Sequence, residues 1–90
     1  MIRWEELKTQ EVHHFDLLEN IRSSYMEDYT WGTVIKRGRE YSCFKISRNH
    51  KTKNKFRVSY LHGGILESLG YFKTLEEAKK KAETYWEVNK

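Results

Sequence analysis

A chain of 90 residues with 17 Lys/Arg, 13 Asp/Glu and a formal charge of +4 has room for one small core, built from a sheet and one or two helices, so a single domain over 1–90 is expected. Its one cysteine, Cys43, excludes an internal disulfide and a cysteine-rich zinc site and fits a reducing compartment. No apolar run approaches the ~20 residues of a membrane span, and Met-Ile-Arg-Trp-Glu-Glu at the start lacks the apolar stretch of a signal peptide; the expectation is a soluble, cytoplasmic protein with no membrane partner.

Taken in chain order, the first third reads as helix. Val12, Phe15, Leu18, Ile21 and Tyr25 recur at three- and four-residue steps, which places them on one helical face. The expected helical segment is 1–27, breaking where Ser-Ser and Glu-Asp interrupt the pattern. Two placements are open to it, beside the sheet or against a second copy in a homodimer. The stretch Tyr-Met-Glu-Asp-Tyr-Thr-Trp-Gly that follows is either a strand starting at Tyr29 or an exposed acidic loop. Its rings Tyr25, Tyr29 and Trp31, with Trp4, form a candidate aromatic hot spot for a protein contact.

Residues 28–90 read as antiparallel sheet plus a C-terminal helix. Two β-branched or aromatic segments flank Arg37-Gly38-Arg39, a turn signal. In Lys-Phe-Arg-Val-Ser-Tyr-Leu, strict alternation puts Phe56, Val58 and Tyr60 on one face and Arg57 and Ser59 on the other. His62-Gly63-Gly64 tolerates the positive φ of a tight hairpin.

Charge divides along the chain. Residues 1–40 carry six Lys/Arg against eight Asp/Glu, whereas 41–90 carry eleven against five. Lys45, Arg48, Lys51, Lys53, Lys55 and Arg57 form a run with no intervening acid. Clustered cations of this kind displace condensed counterions from nucleic acid, so a polyanion is the natural partner.

The closing helix has a defined start. Thr74 followed three residues later by Glu77 is a capping box, which satisfies backbone N–H groups that a first turn leaves unpaired. Leu75, Ala78, Ala82 and Tyr85 share one face with Trp86 beside it, and the two alanines let that face lie close to a sheet. The expected fold is therefore α+β: an antiparallel sheet of three or four strands, a C-terminal helix packed on one face through Phe56, Val58, Tyr60 and Phe72, and an extra N-terminal helix. The opposite sheet face is left for water or a partner.

Asn54-Lys55-Phe56-Arg57-Val58, His62-Gly63-Gly64, Leu69-Gly70-Tyr71-Phe72, Thr74 and Glu76-Glu77-Ala78 together carry a resemblance. Over about residues 41–87 the chain resembles the apetala-two/ethylene-response-factor DNA-binding domain, in the form found in bacteriophage proteins, homing endonucleases and integrase arm-binding domains. The family's Tyr-Arg-Gly-Val opening of the first strand has no counterpart here. The resemblance implies a three-stranded sheet laid in the major groove of duplex DNA, a groove whose width admits a β-ribbon. Carried over, it implies base-facing Lys45, Ser47 and Asn49 on the first strand and Arg57 and Ser59 on the second. Lys51, Lys53 and Lys55 would meet phosphates, with Arg48 in the same basic run. It also implies a phage or mobile-element origin.

Four histidines invite a metal or nuclease reading, yet His13 and His14 are adjacent on the expected helix and point to different sides of it, and His50 and His62 lie in turns without a carboxylate at ligand spacing. No Ser/His/Asp or Cys/His set, catalytic carboxylate pair or phosphate-cradling glycine loop is recognisable. A double-stranded-RNA-binding arrangement would need lysines at the last helix's N-terminus, where Leu75, Glu76 and Glu77 stand. The expectation is a non-enzymatic DNA-binding module without cofactor. The alternative is a small phage-encoded inhibitor that binds a host protein such as a nuclease, polymerase or defence factor.

Overall fold

One long strand organises the molecule. The computed structural model describes residues 1–52 and 55–89, and in it the chain runs β1 (Arg3–Trp4), β2 (Lys8–Asp16), β3 (Ile21–Lys36), β4 (Arg39–Asn49), a short 3-10 turn (His50–Thr52), β5 (Phe56–His62), β6 (Ile65–Phe72) and α1 (Leu75–Asn89). All strand pairs are antiparallel, in the order β1-β3-β4-β5-β6, with β2 also on β3. The sixteen residues of β3 take β2 along their first half and β1 along their second, so these two strands lie end to end on one edge. Glu5 N donates to Trp31 O at 3.0 Å and Lys8 already faces Tyr29; Glu6 and Leu7 thus span the space of one residue, Thr30, whose hydroxyl donates to Glu5 O at 2.6 Å. Among the described residues no helix is long and apolar enough to cross a membrane.

The helix expected over 1–27 is absent, and the sheet has six strands rather than three or four. β2 and β3 instead form a hairpin arm on which Phe15, Leu18 and Ile21 are exposed. Local chemistry explains the arm. Val-His-His-Phe is poor helix-forming sequence, being β-branched and aromatic. Asp16 Oδ1 accepts from the amides of Leu18 at 2.9 Å and Glu19 at 3.4 Å, and Asn20 takes a left-handed φ of 52°. Asp and Asn in these positions close a turn. Thr9 then donates to Asp28 at 2.6 Å and Gln10 to Glu27 at 2.9 Å, tying the arm at its base.

The remaining turns agree with the sequence. Arg37-Gly38 (φ 53° and 74°) and Gly63-Gly64 (φ 55° and 79°) carry the paired positive φ of two-residue hairpin loops. Thr74 Oγ1 accepts from Glu77 N at 3.1 Å, the capping bond that starts α1.

The core lies between α1 and one face of the sheet. Phe44, Ile46 and Val58 are fully buried, and Ala78 and Ala82, also fully buried, bring the helix close. Phe56, Tyr60 and Phe72 pack here as the alternation implies, with Leu75, Tyr85 and Trp86 from the helix side. Two bulges add to this face. The register steps from Gly32–Phe44 to Thr33–Ser42, and from Val58–Gly70 to Ser59–Ser68, so Cys43 and Leu69 are extra residues, and both join the core. The ring of Phe44 meets Tyr60 at 5.1 Å and stands edge-on to Tyr85 and Trp86 at 6.2 and 6.4 Å.

Candidate nucleic-acid interface

The sheet face turned away from α1 holds most of the residues expected to touch a partner. Strand alternation and register line up Lys8, Tyr29, Ser47, Arg57 and Tyr71 in one row across β2 to β6, and Trp31, Lys45, Ser59 and Ser68 in the next. Lys45, Ser47, Asn49, Arg57 and Ser59 therefore do share this open face.

Their availability differs from the expectation. Ser47 and Ser59 are 5% and 3% exposed, because short hydroxyls sit between the longer Tyr29, Trp31, Lys45 and Arg57 side chains. Both hydroxyls are covered by their neighbours, which corrects their expected exposure. The Lys45 ammonium lies 5.6 Å from the ring centroids of both Tyr29 and Trp31 and 4.0 Å from a Glu27 oxygen, its side chain 19% exposed. This cation is stacked on its own aromatics and neutralised by its own acid. Tyr-Met-Glu-Asp-Tyr-Thr-Trp-Gly is thus neither a loop nor a strand beginning at Tyr29; it lies within β3, with Glu27 and Asp28 buried as counter-ions.

Arg48 lies on the other face, toward α1, apart from the open face where most of the expected contacts sit. It donates to Asp28 and stacks 5.1 Å from the Phe56 ring centroid. Asp28 also accepts from Thr9 and bonds His50 Nε2 at 2.9 Å. Burial pushes the Asp28 carboxyl up, but hydrogen bonds from Thr9, His50 and Arg48, with the His50 charge, hold it down to about 2. Trp4, expected among protein-contact residues, is likewise on the core side, packed over Gly32.

The cationic end of the open face is different. Arg57 and the exposed Lys55 line a recess of about 190 Å³ with Tyr25, Tyr71, Ser47, Asn49, Thr52 and Glu27. Neither cation makes an ion pair among the described residues, and Glu27 is engaged by Gln10 and Lys45. Lys51 stands exposed on the neighbouring 3-10 turn, its amide donating to Asn49 Oδ1 at 2.8 Å. Arg57 Nε is buried without a hydrogen-bond partner. Lys53, the other turn lysine, lies outside the described residues. Sequence reasoning missed the acids Glu27 and Asp28 that neutralise Lys45 and Arg48, and it did not single out Tyr71, although placing Phe72 on the helix face puts Tyr71 on the open one.

The histidines are dispersed. His13 and His14 are on the arm, His50 is on Asp28, and His62 bonds Glu67 at 3.1 Å and stacks on Tyr60 at 5.4 Å. Comparison of the chain with protein-family models, with curated proteins and with solved structures gives no match.

Proposed function

We propose that the chain is a non-enzymatic nucleic-acid-binding module that grips the phosphate backbone of duplex DNA with the cationic end of its open sheet face. The observation that carries this reading is the convergence of Arg57 and Lys55 on one tyrosine-flanked recess, with Lys51 alongside and no acid paired to either cation. Phosphate contacts position a protein on DNA but carry no sequence information. With Ser47 and Ser59 buried and Lys45 engaged, binding on this face is dominated by charge and has little base preference. A sheet of this breadth also exceeds the two-stranded ribbon that a major groove admits, which favours contact across the groove edges.

The test is fluorescence anisotropy of a labelled duplex at rising salt. Affinity should fall steeply with salt, and Arg57→Ala with Lys55→Ala should weaken binding and flatten that slope by about two phosphate contacts. Absence of salt-sensitive binding at low ionic strength refutes the proposal.

A second reading, docking on a host protein as an inhibitor, is favoured by the internal neutralisation of Lys45 and by the exposed apolar tip of the arm, where Leu17 and Leu18 are 81% and 98% exposed. Under it, Leu17→Ser with Leu18→Ser abolishes recovery of a stoichiometric host protein, while Arg57→Ala does not.

A further inference from the structure

The outer edge of β2 is nine residues long, free of proline, glycine and bulges, and pairs only with β3 among the described residues. An edge of this kind is a template for another strand. We infer that β2 pairs antiparallel with β2 of a second copy about a two-fold axis at Val12, joining two sheets into one.

The sequence of the edge selects this occupant. A two-fold axis perpendicular to the sheet places residues of the same face opposite each other, so the register is defined by the residue on the axis. With Val12 there, Val12 meets its own copy and Lys8 faces the partner's Asp16. Thr9 faces the partner's Phe15, Gln10 the partner's His14, and Glu11 the partner's His13. All nine residues are paired, with Lys8 opposite Asp16 at both ends of the strand and Glu11 opposite His13 on either side of the axis. Moving the axis to Glu11 sets that carboxylate against its copy and Lys8 against the partner's His14. Moving it to His13 sets two imidazoles together and leaves Asp16 against the partner's Gln10. Like charges directly opposite are destabilising, so the Val12 register is bounded on both sides.

The side chains involved are free to take part. Glu11 and His13 are 53% and 78% exposed and lie 3.9 Å apart on one face of their own strand. Continued past the strand ends, the same register carries the exposed Leu17 toward the partner's Leu7, itself 41% exposed, which gives the bare arm an apolar neighbour. The joined sheet would present two copies of the Arg57–Lys55 recess on one continuous face, although the pairing itself does not depend on nucleic-acid binding.

The experiment is sedimentation equilibrium of the full chain across a wide concentration range, with circular dichroism to verify folding. The expected result is a reversible dimer. Glu11→Arg should weaken it about tenfold, because two symmetric pairs lose their attraction, and adding His13→Glu should restore it by placing an acid opposite each arginine. A chain monomeric at every concentration, a dimer indifferent to Glu11→Arg, or no rescue in the double variant each overturns the inference. Should Glu11→Arg unfold, Val12→Cys serves instead: oxidation should join two chains through that residue, and failure to cross-link is equally fatal.

Discussion

The indole of Trp4 lies directly over Gly32. A β-carbon built on Gly32 would come 2.7 Å from Trp4 Cζ3 and 2.7 Å from Ile2 Cγ2. The absence of a side chain in the middle of β3 is therefore what lets β1 close this end of the core. Gly32→Ala must displace Ile2 and Trp4, and the expected cost is about 1–3 kcal/mol, read by urea unfolding. A substitution that leaves stability unchanged would mean that β1 is dispensable to the core.

Asp28 makes the protein acid-sensitive in a defined window. Its carboxyl titrates at about 2 in the folded state, against ~3.9 in an unfolded chain. Its stabilising contribution is present above the unfolded value and is lost as pH falls from about 4 toward about 2, amounting to about 2 kcal/mol. Asp28→Asn should lower stability at neutral pH, leaving Arg48 without its counter-ion, and should flatten the pH dependence in that window. Denaturant titrations of both proteins between pH 5 and pH 2 test this; parallel curves would refute it.

Under the proposed DNA binding, Lys45 separates structural cations from binding ones. Removing it leaves the buried Glu27 without its cation, so Lys45→Ala should cost about 1–3 kcal/mol of stability while changing DNA affinity less than Lys55→Ala does. Thermal melts and anisotropy on the two variants should show opposite rank orders. Agreement of the two orders would return Lys45 to the binding surface.

Cys43 should be inert in the native protein. Burial pushes its thiol above the ordinary value, a backbone hydrogen bond opposing only in part, and the residue is 8% exposed. A thiol reagent at mildly alkaline pH should therefore modify it more than about tenfold faster in denaturant than in buffer. Equal rates would place the bulge at the surface.

The parts of the fold from β5 onward that touch the core were legible in the sequence, whereas Ile2 and Trp4, buried or packed at its other end, were read as part of a helix. Alternation in Phe56–Tyr60 fixed both faces of β5, Gly38 and Gly63-Gly64 marked their turns, and Thr74 marked the start of α1. The arm was not legible. A two-stranded ribbon with water on both sides leaves no apolar alternation, and the chance spacing of Val12, Phe15, Leu18, Ile21 and Tyr25 matched a helix instead. Asp16 and Asn20, bracketing three residues, were the signal that opposed it. At the site, the side on which Arg57 points followed from its strand alone. The neutralisation of Lys45 and Arg48 did not, because the β3–β4 register that brings Glu27 and Asp28 to them joins residues far apart in the chain.

Every strand but one pairs with a sequence neighbour, so hairpins can zip up in turn over short loops, a topology that favours fast closure. β1 is the exception: it passes over β2 to reach Gly32 and Thr33. During synthesis its residues emerge before those of β3, and their seat on that strand is made only some thirty residues later. The nascent chain thus carries Ile2 and Trp4 undocked until that strand leaves the ribosome, and the two wait on a partner made well after them.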